Sequence, residues 1–218
     1  RDRSVSRGLG DVYKRQLMKI IMGIYSCDEG DILIDGQAVK LGKPAASLAH
    51  GIYLVPQEPM LFPNMTVLEN ILMGFNENEN ELKKRLAGCM KELNFDLNLQ
   101  RKANTLSIAE QQLVELLRGM MRNAQILILD EPTNGLDPSG IHEIRNLVKS
   151  LPSLYDCTVL ISSHMLSEIE LIADDIGILN HGRLLFEGSM NDLRQYALQS
   201  GFAADNLSLI HISEPTRH

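Results

Sequence analysis

The chain has 218 residues, of which 44% are hydrophobic and 22% are charged, and its formal net charge is −7 at pH 7. This length gives room for one domain with a real core, and the composition is that of a globular protein rather than a disordered one. No apolar run approaches the ~20 residues of a membrane-spanning helix, no secretory signal pattern occurs, and the acidic balance argues against a nucleic-acid partner.

The two ends of the chain are related in an unusual way. Residues 207–217 can be encoded by a DNA sequence whose reverse complement encodes residues 6–16. That DNA resembles the transposon-derived adapter used in sequencing libraries. We therefore predict that residues 1–16 and 207–218 are translated adapter, that the native part is residues 17–206, and that neither end belongs to the fold.

Residues 17–25, LMKIIMGIY, are typical of the helix that leaves a phosphate-binding loop. Such a helix normally follows the motif Gly-x-x-x-x-Gly-Lys-Ser/Thr. Gly8 and Lys14 stand in register with this motif, but Tyr13 replaces its second glycine and Arg15 replaces its hydroxyl residue. We therefore predict that the loop itself is missing.

Strands and helices alternate along the rest of the native part. The hydrophobic pattern, with Ser/Thr-x-x-Glu capping boxes at Thr66 and Ser107, predicts these elements. The predicted strands cover 31–35, 51–56, 125–129, 157–161, 176–179 and 183–186, and the predicted helices cover 66–74, 81–93, 107–122, 138–151 and 166–173. The alternation indicates a mainly parallel α/β sheet, and the helical stretch at about residues 64–123 indicates an inserted subdomain.

Polar side chains follow three of the predicted strands at the point where each strand ends. Ligands of parallel α/β sheets bind beyond the carboxyl ends of the strands, so we expect these side chains to meet around one ligand. Taken singly, Gln57 is more often a turn residue and His164 more often a helix cap. Asp130 and Glu131 are more telling, because a buried strand seldom ends in two acids without a cation nearby. The set is Gln57, Asp130, Glu131, Ser162, Ser163 and His164.

These residues stand in the order and spacing of a known family. The sequence ILILDEPT at 126–133 resembles the Walker B strand of ATP-binding-cassette (ABC) ATPases. Gln57 falls at the Q-loop of that family, Asp137 in its D-loop and His164 at its switch histidine. The sequence LSIAEQ at 106–111 falls where the signature Leu-Ser-Gly-Gly-Gln stands. Five motifs in order, across residues 17–194, make the resemblance specific.

The resemblance implies an α/β fold, the P-loop NTPase-like ABC nucleotide-binding domain with an inserted helical subdomain. It begins directly after the position of the Walker A motif, so we expect an N-terminally truncated domain without Walker A and the preceding strands. The missing strand is expected beside the Walker B strand, where its loss leaves unpaired edges. Losing ~4 charge-assisted phosphate bonds at ~1.5–3 kcal/mol each costs about 10⁴-fold or more in affinity, so we expect no specific ATP binding by this chain.

The resemblance also assigns a role to each residue of the catalytic set. Asp130 and Gln57 are expected to hold Mg²⁺, and Gln57 is also expected to be a nucleotide-binding residue. Glu131 is expected to orient or deprotonate the attacking water, and His164 to stabilise the γ-phosphate in the transition state.

Two further residues are implied as nucleotide-binding. Ser107, at a helix N-terminus, is expected to touch the γ-phosphate bound on a second nucleotide-binding domain in a head-to-tail dimer. Asp137, which falls in the D-loop, is likewise expected to be a nucleotide-binding residue. The chain departs from the signature at Ile108 and Ala109, which replace two glycines. Their Cβ atoms hinder close approach of the backbone to phosphate.

The function implied is that of an ATP-binding and ATP-hydrolysing transporter subunit, working with transmembrane permeases at the cytoplasmic face of the inner membrane. Residues 17–133 resemble sugar and autoinducer-2 importer ATPases, whereas residues 134–194 resemble peptide-antibiotic exporter ATPases. We therefore expect import. Two alternatives remain. The chain is either part of an exporter ATPase, or a non-functional truncated or chimeric chain whose two parts are joined near residues 126–133. A cassette protein acting on DNA or ribosomes is less favoured, because neither tandem cassettes nor basic linkers occur.

Overall fold

The computed structural model describes residues 5–163, 165–200 and 208–213. The helices are α1 (Val5–Ile21), α2 (Pro44–Ala49), α3 (Val67–Leu72), α4 (Glu79–Glu92), α5 (Ile108–Met121), α6 (Pro138–Tyr155), α7 (Leu166–Ile169) and α8 (Met190–Ser200). The strands are β1 (Ile32–Ile34), β2 (Gln37–Val39), β3 (Ile52–Val55), β4 (Ile126–Asp130), β5 (Thr158–Ser163), β6 (Asp175–Asn180), β7 (Arg183–Ser189) and β8 (Ser208–Ser213).

One six-stranded sheet organises the molecule, with the strand order β3-β4-β5-β8-β6-β7. Strands β3, β4 and β5 are parallel, as the sequence predicts. Strand β8 is antiparallel to both of its neighbours, and β6 and β7 form an antiparallel pair. A separate antiparallel pair consists of β1 and β2.

Strand β4 shows why this sheet forms. Its central residues are fully buried and point alternately to the two faces of the sheet. Leu127 and Leu129 join the larger apolar cluster, which includes residues of α5 and α6. Ile128 joins a smaller cluster with Met18 and Met22, from α1 and the turn after it. A continuous apolar run therefore suits a parallel strand that is covered on both faces.

The predicted helices between β3 and β4 are confirmed, together with their caps. Thr66 and Ser107 are the N-caps of α3 and α5, and each forms the predicted capping box with the glutamate three residues later. Helix α4 begins two residues earlier than predicted, because the side chain of Asn78 caps it by accepting from the backbone N–H of Asn80.

The two segments excluded from the fold prediction both have regular structure. Residues 5–16 form the first part of α1, which continues without a break to Ile21, and residues 208–213 form β8 inside the sheet. The prediction of an unpaired edge beside the Walker B strand is wrong, since β4 pairs with β3 on one side and with β5 on the other. The gap lies one strand further, between β5 and β6, and β8 fills it.

Candidate functional site

The parallel strands β3, β4 and β5 carry polar residues to one edge of the sheet. Ser162 links two of them, because its hydroxyl donates to Oδ1 of Asp130 at 2.7 Å and accepts from the backbone N–H of Glu131 at 3.1 Å. The backbone N–H of Glu131 also lies 3.1 Å from the carbonyl oxygen of Ser162. The two carboxylates are thus fixed relative to the neighbouring strand.

Helix α1 brings two cations to this edge. The ammonium group of Lys14 donates to Oε1 of Glu131 at 2.8 Å, and Lys14 is only 2% exposed. The guanidinium group of Arg15 donates to Oε1 of Gln57 at 3.3 Å, and its Nε lies 3.7 Å from Oδ2 of Asp130. Gln57, Asp130 and Glu131 are therefore brought together as predicted, but around side chains of the same molecule.

The backbone around Lys14 differs from that of a phosphate-binding loop. Lys14 and Arg15 lie in the middle of α1, which begins at Val5. In the interior of an α-helix each backbone N–H bonds to the carbonyl four residues earlier. Residues 9–16 therefore offer no ring of backbone donors around a phosphate group, although Lys14 has the register of the phosphate-loop lysine.

The donor set at this edge suits Mg²⁺ in its chemistry. This ion prefers oxygen ligands and is usually bound through one or two carboxylates with phosphate and water, which Asp130 and Gln57 could provide. Both of these residues contact the guanidinium group of Arg15, which competes with a metal ion for the same oxygen atoms. Within the described residues, no group of three or more His, Cys, Asp or Glu side chains has the geometry of a metal site.

Helix α5 holds the segment that carries Gln57. The side-chain amide of Gln112 donates to the carbonyl oxygen of Gln57 at 3.0 Å and lies 3.4 Å from that of Pro56. Both Gln112 and Gln57 sit at the junction of the sheet and the helical region, and Gln112 is fully buried. Sequence reasoning missed Gln112, and the only signal for it is an amide at an apolar position of an amphipathic helix.

Glu115, one turn further along α5, makes a second link. Its carboxylate accepts from the backbone N–H of Met60 at 3.0 Å, from the hydroxyl of Tyr53 at 3.2 Å and from the guanidinium group of Arg118 at 2.9 Å. Burial, followed by the charge of Glu115, raises the pKa of Tyr53 to about 12. Tyr53 therefore stays a neutral donor to Glu115 at ordinary pH.

Two other predicted site residues, Ser107 and Asp137, act as helix caps. The Ser107 hydroxyl accepts from the backbone N–H of Glu110 at 3.2 Å, and Oδ1 of Asp137 accepts from that of Gly140 at 3.3 Å. Neither residue hydrogen-bonds to Gln57 or to the two carboxylates among the residues that the structure describes. His164 lies outside the described residues.

The fold and this edge of the sheet are those of an ATP-binding cassette domain. The family model for ABC transporters matches residues 14–134, which is more than half of the chain. The chain therefore belongs to the ABC transporter family. No helix in the described part of the chain has both the length and the apolar character needed to cross a membrane.

Two curated relatives are import proteins. The autoinducer 2 import ATP-binding protein LsrA of Enterobacter sp. (strain 638) is 43% identical over 185 residues, which are 85% of this chain and 37% of the relative. The ribose import ATP-binding protein RbsA of Caldanaerobacter subterraneus is 35% identical over 187 residues, 83% of this chain and 38% of the relative. The chain thus spans little more than a third of the length of these relatives.

Solved structures agree with the fold. A nucleotide-free ATP-binding cassette from an ABC transporter is 26% identical with a TM-score of 0.75, and the match covers 86% of this chain and 80% of that one. The ADP conformation of MJ1267, an ATP-binding cassette of an ABC transporter, is 27% identical with the same TM-score and coverage. The predicted α/β ABC ATPase fold and the likeness to sugar and autoinducer-2 importer ATPases are confirmed.

Proposed function

We propose that the chain derives from the cassette part of the ATP-binding subunit of an ABC importer for a sugar or for autoinducer 2, a subunit whose cofactors are ATP and Mg²⁺. The observation that carries this proposal is the meeting of Gln57, Asp130 and Glu131 at the end of a buried parallel strand. The printed names of the relatives supply the class of substrate. Because the 43% identical alignment covers 85% of the chain, it includes residues 126–133 and extends the importer likeness beyond residue 134.

The proposed division of labour follows the position of each side chain. Asp130 and Gln57 would hold Mg²⁺, which supplies charge neutralisation to phosphoryl transfer when it is bound. Glu131 would orient the attacking water, and His164 would stabilise charge on the γ-phosphate. Ser107 and Asp137 cap neighbouring helices, and we propose that they contact nucleotide across a head-to-tail dimer of two cassettes.

The segment after Gln57 is a suitable surface for a permease. Met60 and Phe62 are 73% and 51% exposed, yet their backbone N–H groups donate to the side chains of Glu115 and Asn70. Apolar side chains that are held rigidly in solvent are typical of protein contact sites. We propose that transmembrane permeases dock here, which would place the cassette peripherally on the cytoplasmic face of the inner membrane.

Membrane association tests this docking surface. The chain would be co-expressed with the permease pair of a ribose or autoinducer 2 importer, and binding to the purified vesicles would be measured by sedimentation. We expect the double variant Met60→Glu, Phe62→Glu to lose binding by about tenfold or more, which corresponds to ~1.4 kcal/mol. The control is Leu33→Glu on β1, another exposed apolar residue. Equal binding to vesicles without permeases would contradict the proposal.

We also propose that this particular polypeptide does not hydrolyse ATP. Helix α1 stands where a phosphate loop is needed, and Lys14 holds the carboxylate of Glu131. The chain can belong to a family of ATPases and still be inactive. Residues 14–134 match the family model, whereas the proposed inactivity follows from the helical backbone before residue 17.

The origin of the two terminal segments is a separate proposal, supported by the antisense relation between residues 6–16 and 207–217. A long read of the source locus through codons 16–17, 126–133 and 206–207 tests it. We expect a reading frame that continues upstream into Gly-Lys-Ser/Thr and contains no adapter. A locus that encodes Tyr13-Lys14-Arg15-Gln16 before Leu17 would refute it. Two frames that meet within 126–133 would favour the exporter alternative for residues 134–194.

A further inference from the structure

The gap between β5 and β6 is filled by β8, a strand to which the proposed transport function assigns no role. Strand β5 pairs with β4 on one side, and β6 pairs with β7 on the other. Among the described strands, β8 alone joins these two halves of the sheet, with residues 209–213 in register with β5 and residues 208–212 in register with β6. Its backbone is therefore paired along both edges.

The walls of this gap are buried. Val159 and Ile161 of β5, and Ile176 and Ile178 of β6, are at most 3% exposed. Without a strand between them, backbone N–H and C=O groups of both walls would be left without partners in a dry environment. Each unsatisfied buried group costs about 1–3 kcal/mol, so the gap strongly favours an occupant with an extended backbone.

The occupant that is present meets this need through its backbone. Residues 208–213 run antiparallel to β5, next to three strands that are parallel to one another. If this segment is translated adapter, no selection has fitted its side chains to the sheet. The gap then requires only an extended segment of about six residues without proline, as in peptide recognition by strand addition.

We propose that the gap between β5 and β6 is a strand-acceptor site, that residues 208–213 of the same chain occupy it through backbone pairing, and that an extended peptide can replace them. The gap adjoins the edge of the sheet that carries Asp130, since Ser162 of β5 is in register with Ile210 of β8. The proposal does not depend on ATP binding or on transport.

Cross-linking in the full chain tests the occupant. With Cys27, Cys89 and Cys157 replaced by alanine, the pair Leu160→Cys, Ile212→Cys joins two register partners and is expected to form a disulfide within one chain. The control pair Leu160→Cys, His211→Cys is one position out of register, which places the two cysteines on opposite faces, and is expected not to cross-link. A disulfide between two chains, or equal cross-linking of both pairs, would overturn the proposal.

Peptide exchange tests the acceptor site. Ile210→Pro in the otherwise unchanged chain removes a backbone donor from β8, and we expect the Tm to fall by about 5 °C or more. Excess synthetic peptide LSLIHIS should restore at least half of this loss, whereas LSLPHIS should restore none.

Competition with the disulfide is a second test of exchange. In the Leu160→Cys, Ile212→Cys chain, the peptide LSLIHIS should lower the yield of the disulfide severalfold. No effect of LSLIHIS, or equal effects of both peptides, would overturn the proposal, and the cross-linking arm holds even if Ile210→Pro does not fold.

Discussion

Lys14 is nearly buried and donates to Glu131, a residue 117 positions away. The sequence places Lys14 in register with a phosphate-loop lysine, but the contact itself depends on α1 continuing through residues that have no hydrophobic period. By contrast, Gln57, Asp130 and Glu131 could be predicted as neighbours, because each follows a strand of one parallel sheet. The contacts of residues 5–16, which have no periodic pattern, could not be predicted, because they depend on the folded shape of the remaining chain.

A double-mutant cycle tests the Lys14–Glu131 pair. We expect Lys14→Met and Glu131→Gln to show a coupling free energy of about 1–3 kcal/mol in urea unfolding, because each partner lies in a low-dielectric site. The matched control is Lys83→Met with Glu79→Gln, an exposed pair in α4 whose side chains are 45% and 68% exposed. Its expected coupling is about 0.2–0.5 kcal/mol. A coupling for the buried pair no larger than for the control would count against the site geometry.

The three cysteines provide a second test at this scale. Cys27 is exposed, whereas Cys89 and Cys157 are buried, and burial raises the pKa of Cys89 and raises that of Cys157 to about 11. A raised pKa lowers the thiolate fraction, which is the reactive form. At pH 8 we expect a disulfide reagent to label one thiol per native chain and all three thiols of the chain in denaturant. In the native Cys27→Ser variant we expect no thiol to be labelled rapidly. Rapid labelling of a second native thiol would show that the core is open.

Helix α5 shows how far an element can be read from the sequence. Its start at the Ser107 capping box was predictable, because both partners of the box lie within four residues. Its contacts with the Q-loop were not, because glutamine and glutamate are usually solvent-exposed in amphipathic helices. Only the packing of α5 against β3 and the following segment shows that Gln112 and Glu115 are buried donors and acceptors.

Two glycines in neighbouring helices give a matched test of this packing. A Cβ atom at Gly119 in α5 would lie 2.8 Å from Cδ2 of Leu127 and 2.9 Å from Cδ1 of Tyr53, whereas one at Gly88 in α4 would meet nothing within 4 Å. Alanine favours a helix over glycine by ~0.8–1 kcal/mol, but overpacking costs ~1–3 kcal/mol. We therefore expect Gly88→Ala to raise the free energy of unfolding and Gly119→Ala to lower it in urea titrations. Stabilisation by both would place α5 further from the sheet.

At the scale of the whole molecule, the family and the parallel direction of β3, β4 and β5 were predictable, since five motifs and the apolar strands lie in sequence. The position of the gap was not. Strand β8 pairs with β5 across a long sequence separation and in the opposite direction to β4. No local pattern encodes such a pairing, and the antisense relation of residues 207–217 to the other end predicts that they lie outside the fold.

The central proposal is that this chain has the cassette fold and its acidic site but, among the residues that the structure describes, no phosphate-binding loop. Isothermal titration calorimetry of the folded chain with Mg-ATP tests it most directly, with thermal unfolding as the check of folding. Since ~4 charge-assisted bonds at ~1.5–3 kcal/mol each are missing, we predict no saturable heat up to about 1 mM ATP. Saturable binding with a Kd in the micromolar range would contradict the claim, because it would require phosphate donors that helix α1 does not provide.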